Sequence, residues 1–144
     1  MIIKNIIVIT TLLILIVSCV GPEEPLDGLS KNFPVIVNTN EAFTLSLRAE
    51  NYSTEETYNL TFSDQNPIEF TTVLVITEFA GRASDTSYFD IFNSNDSLLN
   101  HYNLSSNINI APTENLEVQA IPNKIFFKTD DFSGLIQLVM AIGD

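Results

Sequence analysis

His101 is the only histidine of this 144-residue chain, and eighteen carboxylates surround it in the sequence. It lies in Leu98-Leu99-Asn100-His101-Tyr102, which reads as a strand or strand edge. Nucleophilic catalysis needs a serine, threonine or cysteine beside a base, and no Gly-x-Ser-x-Gly frames any serine. His101 therefore reads as a half-exposed strand residue. A paired-carboxylate hydrolase is compatible with so many acids, because carboxylates meet through the fold rather than through spacing. Oxygen ligands crowd most densely in Asp90-Ile91-Phe92-Asn93-Ser94-Asn95-Asp96, where Asp90, Asn93, Asn95 and Asp96 could contribute to the six to eight oxygens that Ca²⁺ takes. The EF-hand spacing is not met, lacking both the turn glycine and the terminal glutamate. Asp130-Asp131 before Ser133-Gly134 is a second acidic segment. Asn- and Asp-rich turns also arise for backbone reasons alone. Tyr52, in Glu50-Asn51-Tyr52-Ser53-Thr54, is the one aromatic expected in a loop and a candidate ligand contact. The chain has no tryptophan to serve as a sugar platform.

The remaining chemistry is a single thiol, Cys19, so neither an internal disulfide nor a thiolate metal site can form. Its position is informative. Lys4 is the only charge before it, Ile6 to Val17 is apolar apart from Thr10 and Thr11, and Ile16-Val17-Ser18-Cys19 closes the segment. A cationic start, a short apolar run and a small residue before a cut describe a secretory signal peptide over 1–18. Twelve helical residues reach only about 18 Å against a hydrocarbon core of about 30 Å. The tetrad resembles the lipobox of bacterial lipoproteins, whose cysteine is acylated and becomes the new N-terminus. The resemblance implies a protein attached to a membrane by lipid at Cys19 without spanning it.

Residues 19–32 read as a tether. Two prolines, two glycines and three acids in Val20 to Asn32 cannot build a packed element, and at about 3.1 Å per residue they reach roughly 40 Å. Glu23 and Glu24 either solvate this linker or act as an export signal, since acids soon after the cysteine resemble those of surface lipoproteins in Bacteroidota. Asp96-Ser97-Leu98 similarly resembles the O-glycosylation acceptor of that group, with Ser97 the acceptor.

The elements that must position these residues are strands. Phe43, Leu45, Leu47 and Ala49 alternate with polar residues, as do Tyr58, Leu60 and Phe62. Ile68 to Phe79 is apolar on both parities and so reads as central or covered. Further strands are expected at Ser87–Phe92, Leu98–Tyr102, Asn107–Ile110, Leu116–Ile121, Lys124–Lys128 and Leu135–Ile142. Between them fall turn-rich segments, among them Ser63–Pro67, Ala80-Gly81, Asn93–Asp96, Ala111-Pro112, Pro122-Asn123 and Asp130–Gly134. Seven to nine short strands over 33–144 predict one all-β domain, an immunoglobulin-like sandwich of antiparallel strands. Phe43, Tyr58, Phe62, Phe70 and Phe127 are assigned to its core.

Charge narrows the partners. The net charge is −12, becoming −13 once Lys4 is cleaved away, and the bases that remain are scattered, so nucleic-acid binding is excluded. The expected role is a non-catalytic binding or structural module, displayed on the outer membrane, that engages either an envelope protein or an extracellular ligand. An accessory glycan binder is the alternative, and a small hydrolase the third. The protein-partner role predicts an apolar patch or a free edge strand, for which Leu135–Ile142 is the candidate if it is not central. The glycan role predicts two or more coplanar exposed aromatics.

Overall fold

A computed structural model describes residues 27–62, 68–81, 86–116 and 121–143. It holds eight strands and no helix among them: β1 (Val35–Asn38), β2 (Ala42–Asn59), β3 (Ile68–Thr77), β4 (Tyr88–Asn93), β5 (Leu98–Asn103), β6 (Ile108–Ile110), β7 (Thr113–Leu116) and β8 (Pro122–Gly143). All named strand pairs are antiparallel and belong to one sheet. The all-β expectation therefore holds. The immunoglobulin-like subclass is not confirmed, since the strands do not divide into two separately bonded sheets. The signal segment and Cys19, and the turn expected at Ser63–Pro67, lie outside the described residues.

Two long strands organise the molecule. β2 and β8 pair along nearly their whole length. The second half of β8 carries β3 on its other side, and the first half carries β4. β2 and β8 thus pass through both halves of the sheet, and the inward side chains of both halves join one core. This arrangement fits a sandwich whose layers share their longest strands.

The passage between halves is made by two facing bulges. Inward residues are odd-numbered at Phe43, Leu45, Leu47 and Ala49, and even-numbered at Tyr52, Thr54 and Tyr58. In β8 they change from Ile125, Phe127 and Thr129 to Phe132, Ile136, Leu138 and Met140. One extra residue reverses every side chain beyond it. Asn51 (φ 49°) and Asp131 (φ 53°) occupy the left-handed region there, which Asn and Asp tolerate better than other non-glycine residues. Bulging releases backbone donors from the ladder, and serines of other segments receive them. Asn51 N–H donates to Ser133 Oγ (2.9 Å), Asp131 N–H to Ser53 Oγ (2.8 Å) and Asp130 N–H to Ser87 Oγ (3.0 Å).

Several sequence expectations change accordingly. Asp130–Gly134 is not a turn between strands but the interior of β8, and Pro122-Asn123 begins that strand. Leu135–Ile142 is central, flanked by β2 and β3, so it is not the free edge. β1 was not anticipated, because Val35-Ile36-Val37 is too short to show a period. Glu114 lies in β7, which begins at Thr113 and so ahead of the strand expected at Leu116–Ile121, while residues 117–120 lie outside the described residues. β3 is central as expected, yet Val73 and Val75 on its outer face are half-buried rather than covered. Of the assigned core aromatics, Phe43, Phe70 and Phe127 are buried, while Tyr58 and Phe62 pack against the core from its margin.

The end of the expected tether is attached to the domain. Arg48 binds Asp27 through Nε (2.7 Å) and Glu78 through Nη1 (2.8 Å), Lys31 pairs with Glu50, and Asn32 N–H donates to the Arg48 carbonyl (2.7 Å). The Arg48 hydrogen bond holds the Asp27 carboxyl below its usual range, and both carboxylates push the guanidinium further up.

Candidate functional site

The β4–β5 hairpin gathers most of the residues that sequence singled out, and it bonds the side chains of Asp90, Asn93 and Asp96 within the protein. Asn93 forms the turn: its Oδ1 accepts the N–H groups of Asn95 (3.0 Å) and Ser97 (2.9 Å), and its N–H donates to the Ser97 carbonyl (3.0 Å). Asp96 sits at φ 57° and pairs with Lys124. Asp90 is not in the turn at all. It lies on β4 opposite His101, with Oδ1 2.5 Å from the ring Nδ1. Thus Asp90 bonds to a histidine, Asp96 to a lysine and Asn93 to backbone amides. No group of three or more His, Cys, Asp or Glu side chains placed to hold an ion occurs among the described residues. Ser97 is exposed, with its backbone fixed by Asn93.

His101 is held from both sides, since its Nε2 lies 3.0 Å from Asn103 Oδ1. With an oxygen acceptor on each nitrogen, the ring satisfies both only as the doubly protonated cation. The Asp90 hydrogen bond accordingly raises its pKa above the ordinary 6.5, against a smaller effect of burial. Stability contributed by this pair is fully present below the unfolded-state value and is lost as pH rises through the folded-state value. The NMR titration midpoint of the His101 ring should therefore lie above 6.5, and Asp90→Asn should return it toward or below that value. A wild-type midpoint at or below 6.5 would contradict the pairing.

Around this dyad lies a set of outward rings that sequence did not single out. Tyr88 stands between His101 (centroids 5.3 Å) and Phe126 (5.9 Å), tilted by 36° and 37°, and Lys124 lies 5.0 Å from the Phe92 centroid. The signal was in the register: Tyr88, Asp90 and Phe92 alternate with the buried Phe89 and Ile91. Tyr88, Phe92 and Phe126 are half-buried and the contacting rings are tilted, so this face is not the flat exposed stack that sugar binding was expected to need. Tyr52 corrects a second expectation. It is not in a loop but in β2 opposite Phe132, half-buried against the core.

A cleft near β5 and β7 does not include His101, and a concavity near Arg48 includes Glu50 and Glu78, each bridged to a base.

The exposed apolar surface lies elsewhere, at β1. Phe33 is 66% exposed, Val35 46%, Ile36 36% and Val37 50%. Among the described residues, β1 ends the strand order and is paired to β2 alone. Thr39 N–H donates to the Ala42 carbonyl (2.8 Å), and bonded and non-bonded pairs alternate along an antiparallel ladder. Val37 and Val35 therefore bond to β2, while Ile36 and Asn38 turn their N–H and C=O groups outward. Pro34, facing the same way, offers no N–H, as befits an edge.

Comparison with known proteins yields no match: no family model fits the chain, and no curated protein or solved structure is similar to it.

Proposed function

We propose that the protein is an envelope lipoprotein, held in the outer membrane through acylated Cys19, whose β domain is a non-catalytic module binding a protein partner along β1. The observation that carries the binding half of this reading is the clustering of exposed apolar side chains. Of six large ones exposed among the described residues, four fall within Phe33–Val37. No charged residue occurs from Phe33 to Asn40, so the devices that usually blunt an edge are absent apart from Pro34 and shortness. An extended segment of a partner can bond to Ile36 and Asn38 through its backbone while its side chains cover the valines. Docking of residues 27–32 on β2 leaves eight residues from Cys19 to Asp27, a reach of at most about 28 Å. The anchor reading thus places this edge near the membrane, within range of another envelope protein. Ser97 remains the proposed O-glycosylation acceptor.

Two expected results test the two halves separately. Cys19→Ser should move the protein out of the membrane fraction or leave its leader uncleaved; unchanged fractionation and mass would remove the anchor. For the edge, a photo-crosslinker at Ile36 should give a discrete adduct in intact cells. Val35→Lys combined with Val37→Lys should reduce that adduct about tenfold. Both side chains are exposed, so the melting temperature should shift little, by the equivalent of about 0.5 kcal/mol per site. An undiminished adduct would place the partner elsewhere.

A further inference from the structure

Away from the β1 edge, and independent of the anchor, a cleft of about 160 Å³ opens between β5 and the β3–β7 side of the sheet. Phe70, Leu99 and Pro112 give it apolar lining, and Asn100, Tyr102 and Glu114 give it polar groups. Its volume falls below the roughly 300–1,000 Å³ of ordinary small-molecule sites, so it suits one chemical group rather than a large ligand.

The character of that group follows from charge. Among the described residues, Glu114 is the only charged one in the lining, and it is exposed and forms no ion pair with any of them. Tyr102 borders the same space: burial first, then the negative charge of Glu114, pushes its phenol up. No described residue accepts a hydrogen bond from its hydroxyl. An anion would meet the carboxylate and the net charge of −12, whereas a cation is drawn by both. Aromatic rings beside a carboxylate also favour a cation through their quadrupole, and the apolar lining matches an alkyl stem that carries its charge at one end.

We propose that this cleft binds a primary ammonium group on a short alkyl stem, with Glu114 as counter-ion and Phe70, Leu99 and Tyr102 enclosing the stem. The group can arrive on a free alkylamine or on a lysine side chain of another protein.

The test is a titration of the isotope-labelled full chain in detergent with n-butylammonium chloride, followed at the backbone amides of Thr72, Asn100, Tyr102 and Glu114. n-Butanol and sodium chloride serve as controls. Saturable shifts confined to these residues are expected, with n-butanol at least about tenfold weaker. Glu114→Gln should bring butylammonium down to the level of butanol, while Tyr102→Phe, which keeps the ring, should change the affinity by no more than about threefold. Glu114 is exposed, so its variant should melt as the parent does. A capped Ala-Lys-Ala peptide that saturates the same amides, when its norleucine counterpart does not, identifies a partner side chain as the source. Binding of butylammonium without binding of the peptide identifies a free amine. Equal affinity for butanol and butylammonium, a charge preference surviving Glu114→Gln, or non-saturating shifts spread over other acidic segments would overturn the proposal.

Discussion

Phe127→Ala should cost about 4 kcal/mol, the midrange for emptying a fully buried phenylalanine site, while Phe126→Ala, one residue earlier, should cost about 1 kcal/mol or less. Phe127 is 0% exposed and stacks on Phe89 with centroids 4.6 Å apart and planes 18° from parallel. Both rings sit between the halves of the sheet, so truncating one removes dispersion contacts on every side and leaves a cavity that neighbouring strands cannot close. Phe126 points the other way, toward Tyr88, and is already partly hydrated. At roughly 4 °C per kcal/mol for a domain of this size, thermal unfolding should separate the two variants by more than about 10 °C. Reversed losses, with Phe126→Ala the costlier variant, would mean that the register of β8 against β4 is wrong by one residue, since a slip of one exchanges the faces.

Gly134→Ala should lower stability by about 3 kcal/mol, combining a strained backbone with a close contact. Gly134 has φ 151°, and a Cβ there would lie 3.1 Å from the Thr77 carbonyl oxygen and 3.3 Å from the Phe79 Cα. Those are backbone atoms, held where the chain leaves β3 by Ala80 N–H on the Ser133 carbonyl (3.0 Å) and Phe79 N–H on Asn107 Oδ1 (3.0 Å). They cannot yield as a flexible side chain would. Gly28→Ala supplies the comparison: its φ of 69° is also left-handed, but nothing lies within 4 Å of a new Cβ. It should lose only about 1 kcal/mol, the cost of an alanine in the left-handed region. Denaturant melts of the two variants separate steric contact from dihedral strain. If both lose the same amount, the close approach over Gly134 is not real.

Local pattern carried much of the inner face. Alternation in Phe43-Thr44-Leu45-Ser46-Leu47 and in Phe126-Phe127 assigned the buried residues correctly, because a strand with one dry face must repeat every second residue. β1 escaped notice because it buries little: a strand whose side chains are exposed on both faces has no period to read. The candidate surfaces were less legible. Asp90, Asn93, Asn95 and Asp96 are close in sequence and oxygen-rich, which suggested a shared cation. The hairpin directs Asp90 across to His101 and Asp96 across to Lys124, partners eleven and twenty-eight residues away that local spacing does not show. The cleft beside Tyr102 and Glu114 draws on β3, β5 and β7, and no sequence spacing could have joined them.

Composition and period by themselves determined an all-β chain, its acidic charge and most of its core residues. They also identified Asn51-Tyr52 and Asp130-Asp131 as places where the backbone departs from regular extension. Whether such residues end a strand or bend it was decided only by the tertiary structure. Asn and Asp at positive φ serve a turn and a bulge equally well. The choice depends on whether a hydroxyl from a distant strand, Ser53 or Ser133, stands ready for the amide that the bend releases. Here it does, and two strands that local sequence would have cut in half run on through both halves of the sheet.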